Sequence, residues 1–294
     1  MLKILPQVFY ESPDIQKLLV DGLSCAVYKR MEQPVWQKEG YVSVHALTIV
    51  LNGLLRIENA DGMYVEVPAN KMVFVTKGLY TISDIVPANG YFEAVVFFFE
   101  QEVIAEFIDS VKLKATKDIC KSHLVMEYSE PVKIFTESLL KIHSKHNCKE
   151  FRSVTHAKLI ELLHLVSFTQ PTVCFLGALS TLNNKAPRGL REFMHANFTK
   201  PLSIEDYAYL TGRSLSTFRR DFKTLFGGIA PKKWLIERRL ERAYELLSKQ
   251  NITVTEVVQE IGYENIPHFT KAFHAKYGIA PKQFVMQRRK LMLV

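Results

Sequence analysis

The sequence predicts an α+β chain in two parts. The N-terminal half reads as a small β-barrel or double-sheet jelly roll with flanking helices. The C-terminal part reads as an all-α domain with two helix-turn-helix units. Three observations carry this. From Ser24 to about Phe99, short runs rich in β-branched and aromatic residues alternate with turn signals. Gly228-Ile229-Ala230-Pro231 returns as Gly278-Ile279-Ala280-Pro281, a period of 50, and a repeat of that length is a supersecondary unit. The third is charge: residues 183–294 hold 20 Lys and Arg against 10 Asp and Glu, whereas the rest of the chain holds 18 against 20.

The 294 residues, 48% of them hydrophobic, suffice for two packed cores. Met1 to Tyr10 has one lysine and no long apolar run, so no secretory signal is expected. The most apolar window, Phe92 to Phe99, is too short to span a bilayer. Cys25, Cys120, Cys148 and Cys174 form no C-x-x-C pair and fit a reducing cytoplasm.

The strand-like segments are Ala46–Ile57, Tyr64–Val67, Met72–Thr76, Thr81–Val86 and Phe92–Phe99. Between them lie Asp61-Gly62, Pro68-Ala69-Asn70, Lys77-Gly78 and Pro87-Ala88-Asn89-Gly90. Asn52-Gly53 between two apolar runs favours a tight hairpin. This region contains one histidine, His45, where a metal-dependent enzyme would need a cluster of ligands, so His45 is read as structural. His143, His146 and Cys148 are close in sequence, but basic residues at a helix C-terminus need no metal to explain them. There is no nucleophile elbow, Walker loop or dinucleotide fingerprint, and no cofactor, metal or catalytic residue is expected.

Helical spacing follows. Val103, Ile104, Phe107, Ile108 and Val111 mark one helix. Val132, Phe135, Leu139 and Ile142 mark a second from about Pro131, and Val154, Leu159, Leu162, Leu163 and Val166 a third from Glu150 to Phe168. The last two stripes either cover the barrel or join two copies of the chain. We divide the chain into a regulatory part at 1–175 (barrel 20–100, helices 101–170), a small, polar linker at 176–187, and a basic domain at 188–294. Pro187 suits the first turn of a helix running to about Asn197, with Leu190, Phe193 and Met194 inward.

The two helix-turn-helix units span 203–226 and 253–277. In the first, Ser203 caps a helix with an acid, Asp206, three residues on; Ile204, Tyr207, Ala208 and Thr211 face inward and Gly212 makes the turn. Its second helix, about Ser214 to Phe226, buries Leu215, Phe218, Phe222, Leu225 and Phe226. In the second unit Thr253 and Glu256 repeat the cap, Val254, Val257, Val258 and Ile261 face inward, Gly262 turns, and Phe269 and Phe273 are buried. The outer faces are Ser216, Thr217, Arg219, Arg220 and Lys223, then Pro267, His268, Lys271 and His274. Such a face enters a DNA major groove, where Arg and Lys donate to bases or meet phosphate. The competing explanation is a solvated face on two helical hairpins; the duplication, turn glycines and caps favour DNA.

A helix from Pro231 to Ser248 lies between the units, with Trp234, Leu235, Leu240, Ala243, Leu246 and Leu247 on its apolar side. Some 17 helical residues span about 25 Å, against the ~34 Å between successive major-groove segments on one DNA face. One monomer can then occupy two grooves, with bending where the match is imperfect. Arg238, Arg239 and Arg242 on this helix meet either phosphate or neighbouring Glu241 and Glu245.

Residues 202–286 resemble the double helix-turn-helix domain of the AraC/XylS family of bacterial transcription regulators. The matching residues are Phe218-x-Arg220-x-Phe222-Lys223, Ala230-Pro231, Arg238-Arg239-Leu240-x-x-Ala243-x-x-Leu246-Leu247, Ile261-Gly262-Tyr263, Phe269-x-Lys271-x-Phe273 and Gly278-x-x-Pro281. The N-terminal strands look like the cupin-like half of such regulators. The resemblance implies a cytoplasmic, sequence-specific regulator, an activator as most of the family are, that binds promoter DNA, works with RNA polymerase and dimerises through helices 131–168. It implies Ser216, Arg219 and Arg220 as the main contacts of the first reader and Pro267, His268 and Lys271 in the matching places of the second. Pro267 departs from the polar residue often found there, so the first unit is expected to supply most of the discrimination, with the second reading phosphate and shape.

Val50-Leu51-x-Gly53-x-Leu55-x-Ile57 with Phe74-Val75-x-x-Gly78-x-Tyr80-x-x-Ser83 is similar to the N-terminal half of activators of type III secretion genes, which an anti-activator protein holds in check. The resemblance leaves the input open between a small-molecule effector, a fatty acid and such a protein. The alternatives are a cupin-like ligand-binding protein whose basic domain lacks promoter specificity, and a metal-dependent cupin enzyme.

Overall fold

The computed structural model describes residues 2–59, 62–88, 90–111, 123–143, 152–169, 175–176, 179, 189–249, 252–263 and 265–291. The chain divides into two compact units, Leu2–Asn184 and Lys185–Val294.

The first unit is a double-sheet sandwich with helices on one side. Its elements are β1 (Lys3–Leu5), α1 (Gln7–Glu11), β2 (Ile15–Asp21), β3 (Ser24–Met31), β4 (Val35–Val42), β5 (His45–Asn52), β6 (Leu54–Asn59), β7 (Tyr64–Pro68), β8 (Lys71–Val75), β9 (Gly78–Ile85), β10 (Phe92–Phe99), α2 (Gln101–Ser110), β11 (His123–Glu127), α3 (Glu130–His143) and α4 (Arg152–Thr169). One sheet runs β1-β4-β9-β6-β7 and the other β11-β8-β5-β10-β3-β2. All pairings are antiparallel except β1 with β4.

The six-stranded sheet is buried on both faces, which explains its continuous apolar runs. Along β10, Ala94, Val96 and Phe98 face the other sheet. Val95, Phe97 and Phe99 face a second core with Phe107 of α2, Phe135 of α3 and Leu162 of α4. The stripes on α3 and α4 thus cover this sheet. Ile142 and Val154 do not join them: they are 53% and 40% exposed.

Several expectations are corrected. Asn52-Gly53 is not a hairpin, because β5 pairs with β8 and β10, while β6 pairs with β7 and β9 in the other sheet. The pair is a corner that carries the chain between sheets. Gly53 has φ +89°, and a Cβ there would lie 2.8 Å from the Ile85 carbonyl oxygen. The run Ala46–Ile57 is therefore two strands. The sheets also reach beyond residues 20–100, through β1, β2 and β11.

The second unit comprises α5 (Leu190–Asn197), α6 (Ile204–Leu210), α7 (Leu215–Leu225), α8 (Pro231–Lys249), α9 (Val254–Glu260), α10 (Ile266–Tyr277) and α11 (Pro281–Leu291). Gly189 takes the N-cap of α5, so this helix starts later than a first turn at Pro187, which lies outside the described residues. Leu225 is 38% exposed rather than buried, because α7 ends there and Phe226 packs instead, stacking on Phe222 at 4.1 Å and meeting Trp234 at 4.9 Å.

Candidate nucleic-acid interface

Each helix-turn-helix unit is built from the caps inward. The Ser203 hydroxyl accepts from the Asp206 amide at 3.1 Å, and the Asp206 carboxylate accepts from the Ser203 amide at 3.1 Å. Thr253 and Glu256 form the same box in the second unit, and these hydrogen bonds hold the Glu256 carboxyl below its ordinary pKa. Gly212 (φ +68°) and Gly262 (φ +73°) then turn the chain in the left-handed region.

Of the first outer face, Ser216, Arg219, Arg220 and Lys223 are exposed and Thr217 is half-buried. Phe218 and Phe222 point into the core, so Ser216, Arg220 and Lys223, at i, i+4 and i+7, share the opposite side of α7. Arg219 sits at the flank, 4.0 Å from Glu205 on α6. Arg220, with a side chain 76% exposed, reaches its neighbour Asp221 at 3.4 Å. Asp221 is held independently by Arg213 at 3.1 Å. The N-terminal end of α7 carries three hydroxyls around Leu215: Ser214 accepts from the Thr217 amide at 3.2 Å and lies 3.1 Å from the Ser216 hydroxyl.

On α10, Pro267, His268, Lys271 and His274 are all exposed. Pro267, Lys271 and His274 share one side, while the His268 ring lies 5.8 Å from that of Tyr263 at the flank.

The arginines of α8 are engaged by groups of their own unit. Arg238 pairs with Glu241 at 2.7 Å, and Arg242 with Glu245 and Glu260 at 3.3 Å each. Arg239 donates to three backbone carbonyls: Phe198 at 2.7 Å, Lys200 at 2.7 Å and Gly262 at 3.0 Å. Tyr207 ties the same loop, donating to Asn197 at 2.8 Å, and burial pushes its phenol up to about 12. Arg239 therefore fastens the loop before α6 to the turn of the second unit. The sequence left these arginines open between phosphate and internal pairing, and the geometry is the internal one.

The remaining candidates are in the first unit. His45 is buried, its Nε2 3.2 Å from Gln101 Oε1 and its Nδ1 accepting from the Lys77 amide at 3.2 Å. Among the described residues no group of three His, Cys, Asp or Glu is placed to hold a metal. His146 and Cys148 lie outside the described residues. A site not foreseen is the buried ion pair of Lys29 on β3 with Asp84 on β9, which joins the two sheets. It lines a cavity of about 50 Å³ with Phe9, Tyr80 and Phe92. The signal was present: Cys25, Val27 and Lys29 alternate on one face of β3, so a lysine falls in register with core residues.

Two family models match. Residues 207–287 match a helix-turn-helix domain and residues 45–176 match the ExsA N-terminal regulatory domain. VirF, a virulence regulon transcriptional activator of Yersinia enterocolitica, is 25% identical over 251 residues, 82% of this chain and 89% of that one. The HTH-type transcriptional regulator ExsA of Pseudomonas aeruginosa is 22% identical over 241 residues, 80% and 84% of the two chains. The thermoregulatory protein LcrF of Yersinia pestis is 30% identical over 151 residues, 51% and 55% of the two chains.

Residues 207–287 are a helix-turn-helix domain of the kind AraC-type transcription regulators carry.

The chain is accordingly a DNA-binding transcription regulator and not an enzyme, and its helix-turn-helix domain binds promoter DNA. A solved structure of ToxT from Vibrio cholerae aligns over 89% of this chain and 97% of its own, at 9% identity and TM-score 0.38. No helix among the described residues is long and apolar enough to cross a membrane.

Proposed function

We propose that this protein is an activator that reads two successive major-groove segments through α7 and α10. The observation that carries the proposal is the exposed Ser216–Arg220–Lys223 face, aimed away from the Phe218–Phe222 core at the matching places of the first unit. Arg220 reads guanine there and Ser216 an adjacent base, while Thr217, Arg219 and Lys223 flank them against phosphate. On α10, Lys271 and His274 meet the backbone beside Pro267 and His268. The 19 residues of α8 (Pro231–Lys249) span about 28 Å, a rigid spacer between the two readers. VirF is named an activator, which supports the same sense of regulation here through contact with RNA polymerase.

The input we favour is a partner protein of anti-activator type. The inter-sheet cavity of about 50 Å³ is already occupied at its polar end by Lys29 and Asp84. Small-molecule sites run to about 300–1,000 Å³. Dimerisation through α3 and α4 is supported by Ile134, Ile142 and Phe168, which are 63%, 53% and 81% exposed on helices whose other sides are buried. These helices include the face expected at residues 131–168.

Selection of bound DNA from a random pool tests the reading. Two enriched blocks about one helical turn apart are expected; no enrichment would refute it.

A further inference from the structure

The two readers differ in chemistry as well as sequence. At the N-terminal end of α7 a part-buried Leu215 is surrounded by the hydroxyls of Ser214, Ser216 and Thr217, and Ser216 holds the place that matches Pro267. At the matching end of α10 stand Ile266, 41% exposed, and Pro267, also exposed. These two residues open into a cleft of about 610 Å³ whose apolar wall includes Val254 and whose rim carries Lys271, His274 and Lys282. An exposed isoleucine and proline at the start of a reading helix cannot donate side-chain hydrogen bonds to a base edge. In the major groove one base feature rewards apolar contact, the C5-methyl group of thymine. The two lysines of the rim supply the positive charge that a flanking phosphate backbone requires.

We infer that α10 is a thymine-methyl reader: Ile266 and Pro267 enclose one or two C5-methyl groups while Lys271, His274 and Lys282 hold the adjacent phosphates. This rests on the double-reader proposal and sharpens it. The second unit then discriminates by apolar contact, and A·T pairs are preferred in the block it covers. Burying one methyl contributes roughly fourfold in affinity, from ~0.8 kcal/mol per buried carbon group.

The test uses the full chain and the duplex recovered by selection. Each thymine is replaced singly by uracil, which removes the methyl group and leaves every hydrogen-bonding group in place. A loss of about fourfold is expected at one or two positions in the α10 block, and Ile266→Ser or Pro267→Ser should abolish the difference between thymine and uracil. If uracil is neutral throughout that block while base changes in the α7 block still weaken binding, the inference falls and the double-reader proposal stands. If base changes matter in neither block, both fall. If the two variants lower promoter output with DNA affinity and uracil sensitivity unchanged, the cleft serves a protein partner and the inference is overturned.

Discussion

Asp84→Ala is expected to destabilise the N-terminal unit by about 3–5 kcal/mol, the usual cost of removing one member of a buried ion pair. Asp84 is 2% and Lys29 8% exposed. The pair lies in the apolar layer between the sheets, with the Lys29 ammonium 5.4 Å from the centre of the Phe92 ring and 5.9 Å from that of Phe9. Those ring faces attract the cation but cannot replace a carboxylate. Truncation would leave an ammonium group desolvated and uncompensated across an interface that holds the sandwich together. The control is the double variant Lys29→Met with Asp84→Leu, which removes both charges and keeps the volume. It should recover most of the loss, because well-packed apolar replacements of buried pairs are often neutral or better. Urea unfolding of the wild-type, single and double variants measures all three. A loss below about 1 kcal/mol in Asp84→Ala would place the pair among solvated ones.

Gly262→Ala should cost the DNA-binding unit about 3 kcal/mol or more, a large fraction of the roughly 5–15 kcal/mol of an ordinary domain. A Cβ at this position would lie 2.2 Å from the Thr199 carbonyl oxygen and 2.9 Å from its carbon, both rigid backbone. The residue also holds φ +73°, which adds ~1–2 kcal/mol of strain for any L side chain. The displaced segment includes Lys200, whose carbonyl accepts from Arg239, as does that of Gly262 itself. The clash therefore strikes the joint between the first and second helix-turn-helix units. Gly278 supplies the comparison. Its φ is +72°, yet nothing lies within 4 Å of where its Cβ would be. Gly278→Ala should cost only the strain. Equal losses at the two positions, read by thermal unfolding, would mean that steric contact with Thr199 contributes nothing.

The C-terminal unit was largely legible in the sequence because its signals are local. Ser203 with Asp206 and Thr253 with Glu256 announce two helix starts within four residues each, and the 50-residue repeat gives Gly212 and Gly262 the same role. What stayed hidden there depends on distance along the chain. Arg239 reaches partners 41, 39 and 23 residues away. Arg219 and Arg220 look equivalent in sequence, and only the angle of α7 to Glu205 separates the flanking one from the central one. The apolar wall beside Pro267 was likewise unforeseen, because Val254 and Ile266 come together only in the folded unit.

The N-terminal unit was legible as strands but not as sheets. Phe92 to Phe99 reads as a buried strand because both its faces are covered, yet periodicity cannot say by what. Asn52-Gly53 carries the chemistry of a tight turn, and the turn occurs, but the strands on either side pair elsewhere. Local propensity fixes the bend, and tertiary pairing decides which strands it joins. The Lys29–Asp84 pair spans 55 residues and two sheets, so only the misplaced lysine on an apolar face hinted at it.

The central claim is that α7 reads bases through Arg220. Binding of the Arg220→Ala chain to the selected duplex and to duplexes changed at each position of the first block measures this directly. The account predicts a loss of about 1–3 kcal/mol on the selected duplex and relaxed preference at one or two positions, with the second block read as before. A loss spread evenly over all sequences, or no loss at all, would contradict it.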